Sequence, residues 1–194
     1  MPDDIRRANG SVVGELLSVT TLLENPQLAG LYAYLSREEP ATVREVMTAL
    51  DYSRETTQRL LSRLNEMGIV ETLTDDEPQM YRAISTELSL SAGQGERTYT
   101  VTPAWIDAVG RRTADDDIDT YIDRHGLAGL ATALIYAVDR ERSRVTHRLM
   151  ARDLDIAPLE AEIILQALRP VVHDHFDIEV ADSGDVFGSE SNAP

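Results

Sequence analysis

"TVREVMTALDYSRETTQRLLSRLNEMGIVE", residues 42–71, decides how this chain is built. Thr42 and Glu45 stand at the threonine-x-x-glutamate spacing of a capping box, in which each side chain satisfies a backbone N–H at the start of a helix. Val43, Val46 and Leu50 follow as a short apolar stripe. "DYS" reads as a tight turn, and Ser53 is placed to cap a second helix. In that helix Thr57, Leu60, Leu61, Leu64 and Met67 fall on one side at helical spacing. Gly68 ends it, because glycine readily takes the left-handed conformation that closes a helix. Turning the apolar side inward leaves Arg54, Glu55, Thr56, Gln58, Arg59, Ser62 and Arg63 facing out.

Upstream, Val12, Leu16, Val19 and Leu23 make one helical stripe. Asn25 and Pro26 then open a helix through Leu28, Leu31 and Leu35 to about Ser36. Downstream, "IVETLT" alternates as a strand, "DDEPQ" turns, "MYRAISTELSL" is extended, "SAGQG" turns again and "RTYTVT" is a third strand. Three helices with a tight turn before the third, followed by strands, are the sequence form of a winged helix-turn-helix. From Thr102 and Pro103 onward the pattern is helical, beginning with a helix that holds Trp105, Ile106 and Val109. "TADDDIDTYIDRHG" has carboxylates at its start and Arg124 and His125 at its end, both favourable to the helix dipole, and Gly126 stops it. "LAGLATALIYAV", Leu127 to Val138, is apolar nearly all round and is expected to be buried in a core or a subunit interface. "VTHRLMARDLD" and "PLEAEIILQAL" are two further helices, the latter ended by Pro170. The expected fold class is mostly α with a small antiparallel β-wing. Its expected parts are a flexible N-terminus (1–10), a winged helix-turn-helix domain with its N-terminal helix (11–102), a helical dimerisation or effector domain (103–179) and a disordered tail (180–194).

Asp and Glu total 34 against 18 basic residues, a formal net charge of −16 in 194 residues, and every basic residue is Arg. The carboxylates run from Asp3 to Glu190, so this is a property of the whole surface. At ~1 M ionic strength the screening length falls to ~3 Å and self-repulsion nearly vanishes. The composition resembles that of proteins from salt-accumulating halophilic archaea. With no cysteine, disulfides, thiolate nucleophiles and thiolate zinc sites are excluded. No apolar run approaches the ~18 residues of a membrane span, and "MPDDIRRANG" lacks a basic-then-apolar signal, so a cytoplasmic, membrane-free protein is expected.

With these residues in view, the chain resembles the winged helix-turn-helix transcriptional regulators common in halophilic archaea. The resemblance is carried by residues 42–71, where Gly68-Ile69-Val70 starts the first wing strand, and it covers residues 25–102 best. It implies repression or activation of transcription, usually by a dimer, with the third helix in the major groove. The residue chemistry points the same way: Arg suits guanine, Gln suits adenine, and Thr suits a methyl group or a phosphate. Arg54, Thr56, Gln58 and Arg59 are expected near the bases and Arg63 on the backbone. Arg44, the Thr42 cap, and Arg82 beside Tyr81 are expected on phosphates. Against this, the wing tip "TDDEP" is acidic and Glu55 sits at the groove end. Residues 28–85 hold six Arg against ten carboxylates, a net charge of −4, so the counterion-release contribution is small.

Segments 28–64 and 131–168 also resemble each other. Leu31 matches Leu134; Thr42, Arg44, Leu50 and Asp51 match Thr146, Arg148, Leu154 and Asp155; Leu60, Leu61 and Leu64 match Ile164, Leu165 and Leu168. This makes a degenerate second helix-turn-helix unit an option for the C-terminal domain. Where the first unit has Arg54 to Arg59, the second has "PLEAEI", without Arg, so it is read as a homodimerisation unit through Leu127–Val138. His173 and His175 are two apart, with no cysteine or third nearby histidine to complete a tetrahedral set although Asp174 or Asp177 could help, and a solvated element end explains them better than metal. "TADDDIDTYID" lacks the glycine and final glutamate of a calcium loop. Trp105 and Tyr121 are read as core or interface aromatics rather than pocket walls. There is no phosphate loop, zinc helix or nucleophile elbow, and neither an enzyme nor a cofactor is expected. The expected function is sequence-specific regulation on double-stranded DNA. Its competitor is an interaction adaptor that keeps the fold without binding DNA. Operator, effector and direction of regulation are not readable from the sequence.

Overall fold

The computed structural model describes residues 17–37, 40–73, 78–84, 88–92 and 97–178. The expected flexible N-terminus, the disordered tail and all of the acidic wing tip except Pro78 lie outside these residues. Helix α1 covers 17–24 and α2 covers Pro26–Arg37. The short strand β1 (Ala41–Thr42) leads into α3 (Val43–Leu50), α4 (Arg54–Glu66), β2 (Val70–Thr72) and β3 (Met80–Ala83). Strands β4 (Leu88–Ala92) and β5 (Arg97–Val101) precede α5 (Pro103–Gly110), a 3-10 turn at Arg111–Thr113, α6 (Asp116–Glu141), α7 (His147–Leu154) and α8 (Pro158–His175). The chain is mostly helical with a small antiparallel sheet, a winged helix joined to a C-terminal helical part.

The local signals of residues 42–71 act as their chemistry requires. Thr42 and Glu45 form the reciprocal capping box of α3. Ser53 caps α4 by accepting from the Thr56 N–H at 3.1 Å. Asp51 takes the left-handed conformation between the two helices, at φ 53°, and Gly68 takes it after α4, at φ 72°. Thr57, Leu60, Leu61 and Leu64 are buried, with Met67 partly buried against the same core.

Several expectations are corrected. In α1 the buried residues are Ser18, Val19 and Leu22, while Leu23 is only half-buried. The stripe is rotated because α1 docks on the end of α4, where the Ser18 hydroxyl donates to the Met67 carbonyl at 3.2 Å. The extended reading of "MYRAISTELSL" divides at Ile84, whose N–H donates to the Ile69 carbonyl and whose carbonyl accepts from buried Tyr32. Strand β3 is therefore central in a three-stranded sheet of order β1-β3-β2, and β4 pairs with β5 in a separate hairpin. Helix α8 continues through Pro170 to His175. Burying Val171 and Val172, worth about 1.5–3 kcal/mol each, offsets the roughly 3 kcal/mol that an internal proline costs. Gly126 does interrupt α6, at φ 69° and ψ 179°. The Leu127–Val138 stretch buries only one side, through Leu130, Ala133, Leu134 and Ala137, and Ile135 is 64% exposed because α5 and α8 cover a single face.

One hydrophobic core runs from α1 to α8. Helix α5 packs chiefly on α2, and a side chain at Gly110 would stand 2.6 Å from the backbone nitrogen of Gly30, so only glycine permits that approach. The pair α7–α8 repeats the local geometry of α3–α4. Both short helices have eight residues and a threonine cap (Thr42, Thr146), and both end in a left-handed aspartate, Asp51 at φ 53° and Asp155 at φ 54°. The copies differ at the next cap, where Ala157 makes no side-chain bond in the place of Ser53.

Candidate nucleic-acid interface

Helix α4 is held from below. The Thr57 hydroxyl donates to the Ser53 carbonyl at 3.0 Å, and Leu60, Leu61 and Leu64 anchor the rest of the buried stripe. At ~100° per residue, Glu55, Arg59 and Ser62 then occupy the crest opposite that stripe. Arg54 and Gln58, one turn apart, lie on the flank toward α3. Thr56 and Arg63 lie on the other flank. Arg54, Gln58, Arg59 and Arg63 are exposed, and Thr56 is half-buried, its hydroxyl accepting from Ser53 at 2.9 Å.

A surface groove of about 510 Å³ runs between α3, the start of α4 and the entry to β3. It brings Thr42, Arg44, Arg54 and Gln58 together and adds Met47, Pro78 and Gln79. Gln79 was missed because "DDEPQ" reads as a turn; the only signal was an amide immediately before a strand. The Tyr81 hydroxyl donates to Gln79 Oε1 at 2.9 Å, so Tyr81 positions that amide. Thr42 is committed to its cap: its hydroxyl donates to Glu45 Oε2 at 2.8 Å and accepts from the Glu45 N–H at 3.3 Å. The hydrogen bonds from Thr42, backbone first, hold the Glu45 carboxyl below its ordinary value. Thr42 contributes by fixing the start of α3, which carries exposed Arg44.

The guanidinium groups divide into two sets. Arg82 donates twice to Glu71 Oε1, at 2.6 and 3.0 Å, across the β2–β3 pairing in which Glu71 faces Arg82. Arg63 has a loose pair with Glu66 at 3.6 Å. Arg44, Arg54 and Arg59 make no ion pair among the described residues. The groove thus holds two arginines without an ion pair among the described residues, the crest carries Arg59 with Glu55 one turn away, and the wing arginine is neutralised by its neighbour.

Residues 29–87 match the family model described as "Sugar-specific transcriptional regulator TrmB". The match spans α2 to just beyond β3, so this part of the chain carries a domain similar to that winged-helix transcriptional regulator. Residues 112–177 match a "Family of unknown function (DUF7437)". No curated protein and no solved structure matches the chain. No described helix is long and apolar enough to cross a membrane.

Beyond the groove, the structure joins the two matched segments through a charged node that sequence reasoning missed. Asp107 on α5 accepts from Arg37 of α2 at 2.9 Å, from Arg111 at 2.9 Å and from His175 at the end of α8 at 3.0 Å. Asp174 accepts from the same two arginines. The expectation of a solvated element end at 173–175 is therefore corrected: the His175 side chain is only 8% exposed because it packs on Asp107. His173 is exposed and pairs with Glu141 at 2.8 Å. Burial pushes the Asp107 carboxyl up, but the hydrogen bonds from His175 and Arg111, with the charges of Arg111 and Arg37, outweigh it and leave the group below its ordinary value.

Proposed function

We propose that the chain is a sequence-specific DNA-binding transcriptional regulator that lays α4 in the major groove. Arg54, Gln58 and Arg59 face the bases, with Thr56 beside them. Arg44 and Arg63 take phosphates, with Arg82 and Tyr81 on the wing side. The observation that carries this reading is that Arg44 and Arg54, which line one groove, and Arg59 on the adjoining crest of α4 make no ion pair among the described residues of a chain with 34 carboxylates for 18 arginines. The chain has no catalytic role, acts in a cytoplasm rich in salt, and divides functionally into a DNA-binding part (11–102) and a dimerising part (103–179). The word "sugar-specific" in the matched description makes a saccharide the first effector to assay. The test is genome-wide mapping of crosslinked sites: discrete sites that vanish in an Arg59→Ala strain support the reading, and a diffuse profile identical in both removes it.

The competing adaptor reading is favoured by one observation, the neutralisation of Arg82 by Glu71. Salt dependence separates the two. With a local net charge of −4, the regulator holds cations between its carboxylates and the phosphates. Operator affinity is then expected to fall far less with potassium chloride than the 10³–10⁵-fold, between roughly 50 and 200 mM, of ordinary proteins making 6–10 phosphate contacts. A steep loss measured by fluorescence anisotropy removes the cation-bridging account.

Homodimerisation is assigned to the Leu127–Val138 face, where Ile135 stands 64% exposed. Light scattering at micromolar concentration is expected to return twice the chain mass of 21.5 kDa. A monomer there removes the dimer.

A further inference from the structure

A second cavity, of about 400 Å³, lies away from the DNA groove where β5, α5, α6 and the end of α8 meet. Its size is within the roughly 300–1,000 Å³ of small-molecule sites. Trp105, Leu134, Ile135, Val138 and Phe176 supply its apolar and aromatic walls. Arg142, just past the end of α6, stands at its rim. An arginine there also suits the helix dipole, but Arg142 is exposed and makes no ion pair among the described residues. Its neighbour on the rim, Asp139, is engaged by Arg144 at 3.6 Å. A second observation comes from Trp105 itself, which is 8% exposed with an indole N–H that makes no hydrogen bond among the described residues. Buried indole N–H groups ordinarily find an acceptor. This one is shielded, so it is an unmet donor behind the cavity wall and not a group that faces the cavity.

We propose that this cavity binds a small amphipathic carboxylate, with its aromatic or branched apolar body against Trp105, Val138 and Phe176 and its carboxylate on Arg142. Thr100, Thr102 and Asp139 also line the cavity, but Thr102 caps α5 and Asp139 is paired with Arg144, which leaves few hydrogen bonds for a polyhydroxylated sugar, so the proposed ligand differs in class from the saccharide suggested by the matched family description. The site does not depend on the DNA-binding reading, but it shares Leu134, Ile135 and Val138 with the face assigned to homodimerisation, so it requires a dimer that leaves the cavity uncovered.

Trp105 is the chain's one tryptophan, so all indole fluorescence comes from a residue in the cavity wall. The intact protein, at one fixed potassium chloride concentration, is titrated with phenylacetate, 3-phenylpropionate and octanoate, then with the corresponding neutral amides and with maltose. At least one carboxylate is expected to give a saturable change at micromolar to low millimolar concentration. Its amide is expected to bind about tenfold more weakly, and maltose not at all. Arg142→Gln, which retains the fold by circular dichroism, is expected to show the same tenfold loss. Ala131→Leu, which fills the cavity from α6, is expected to abolish the change. Failure of all three carboxylates to saturate overturns the proposal, as does equal binding of acid and amide or of wild type and Arg142→Gln. Binding that declines as the protein concentration is raised assigns the cavity to a second copy of the chain, and this too overturns it.

Discussion

Asp107→Ala is expected to lower the stability of the folded chain by about 3 kcal/mol, the lower end of the 3–5 kcal/mol lost when one member of a buried ion pair is removed. The side chain is 6% exposed, and its partners Arg37 and Arg111 are 20% and 27% exposed. Removing the carboxylate leaves two guanidinium groups that recover only part of their hydration and retain only Asp174, itself 42% exposed. His175 loses its acceptor as well. Asp107→Asn, close in shape, separates lost charge from lost packing and guards against a variant that fails to fold. The sign of the pH dependence follows from the direction of the shift. The carboxyl is held below its ordinary 3.8, so the unfolded chain takes up its proton first as the solution is acidified. The stabilisation is complete above that value and is lost as pH falls through the native one. Urea unfolding at constant salt is therefore expected to show a gap between wild type and Asp107→Asn at neutral pH that narrows below pH 3.8. A gap that does not change with pH would mean that the node acts by shape alone.

How much of this was legible depended on sequence distance. The capping box of Thr42 and Glu45, the Ser53 cap and the Gly68 stop act within four residues, and each was readable because its chemistry is local. The face of α4 was readable too, since a period of ~3.6 residues divides Leu60, Leu61 and Leu64 from Arg54, Gln58 and Arg59. Strand β1 was not, because two residues carry no alternation and pair only once β3 arrives beside them. The neutralisation of Arg82 required the register that sets it opposite Glu71. The node was out of reach, since Arg37 and Asp174 stand 137 positions apart. The bend of the reading at Pro170 failed for the opposite reason: a local rule about proline was overridden by burial of Val171 and Val172.

On DNA, Arg59→Ala is expected to cost about 1–3 kcal/mol of specific binding, the worth of one good side-chain contact to a base edge. It is expected to cost much less on non-specific duplex, because a crest residue reaches bases and not only backbone. Arg44→Ala should instead weaken both by similar amounts, the signature of a phosphate contact. The ion pairs order the remaining arginines. Arg82 must leave Glu71 before it can meet a phosphate, so Arg82→Ala is expected to cost less than Arg44→Ala although both residues are exposed. Glu71→Gln, which releases Arg82, should tighten binding on any sequence. These four variants, measured by anisotropy on operator and scrambled duplex at one salt concentration, test the division of guanidinium groups directly. If Arg59→Ala changes neither affinity, the exposed arginines of α4 do not face a duplex. The same fold would then be using that surface for a protein, whose acidic side chains Arg54 and Arg59 are equally able to receive.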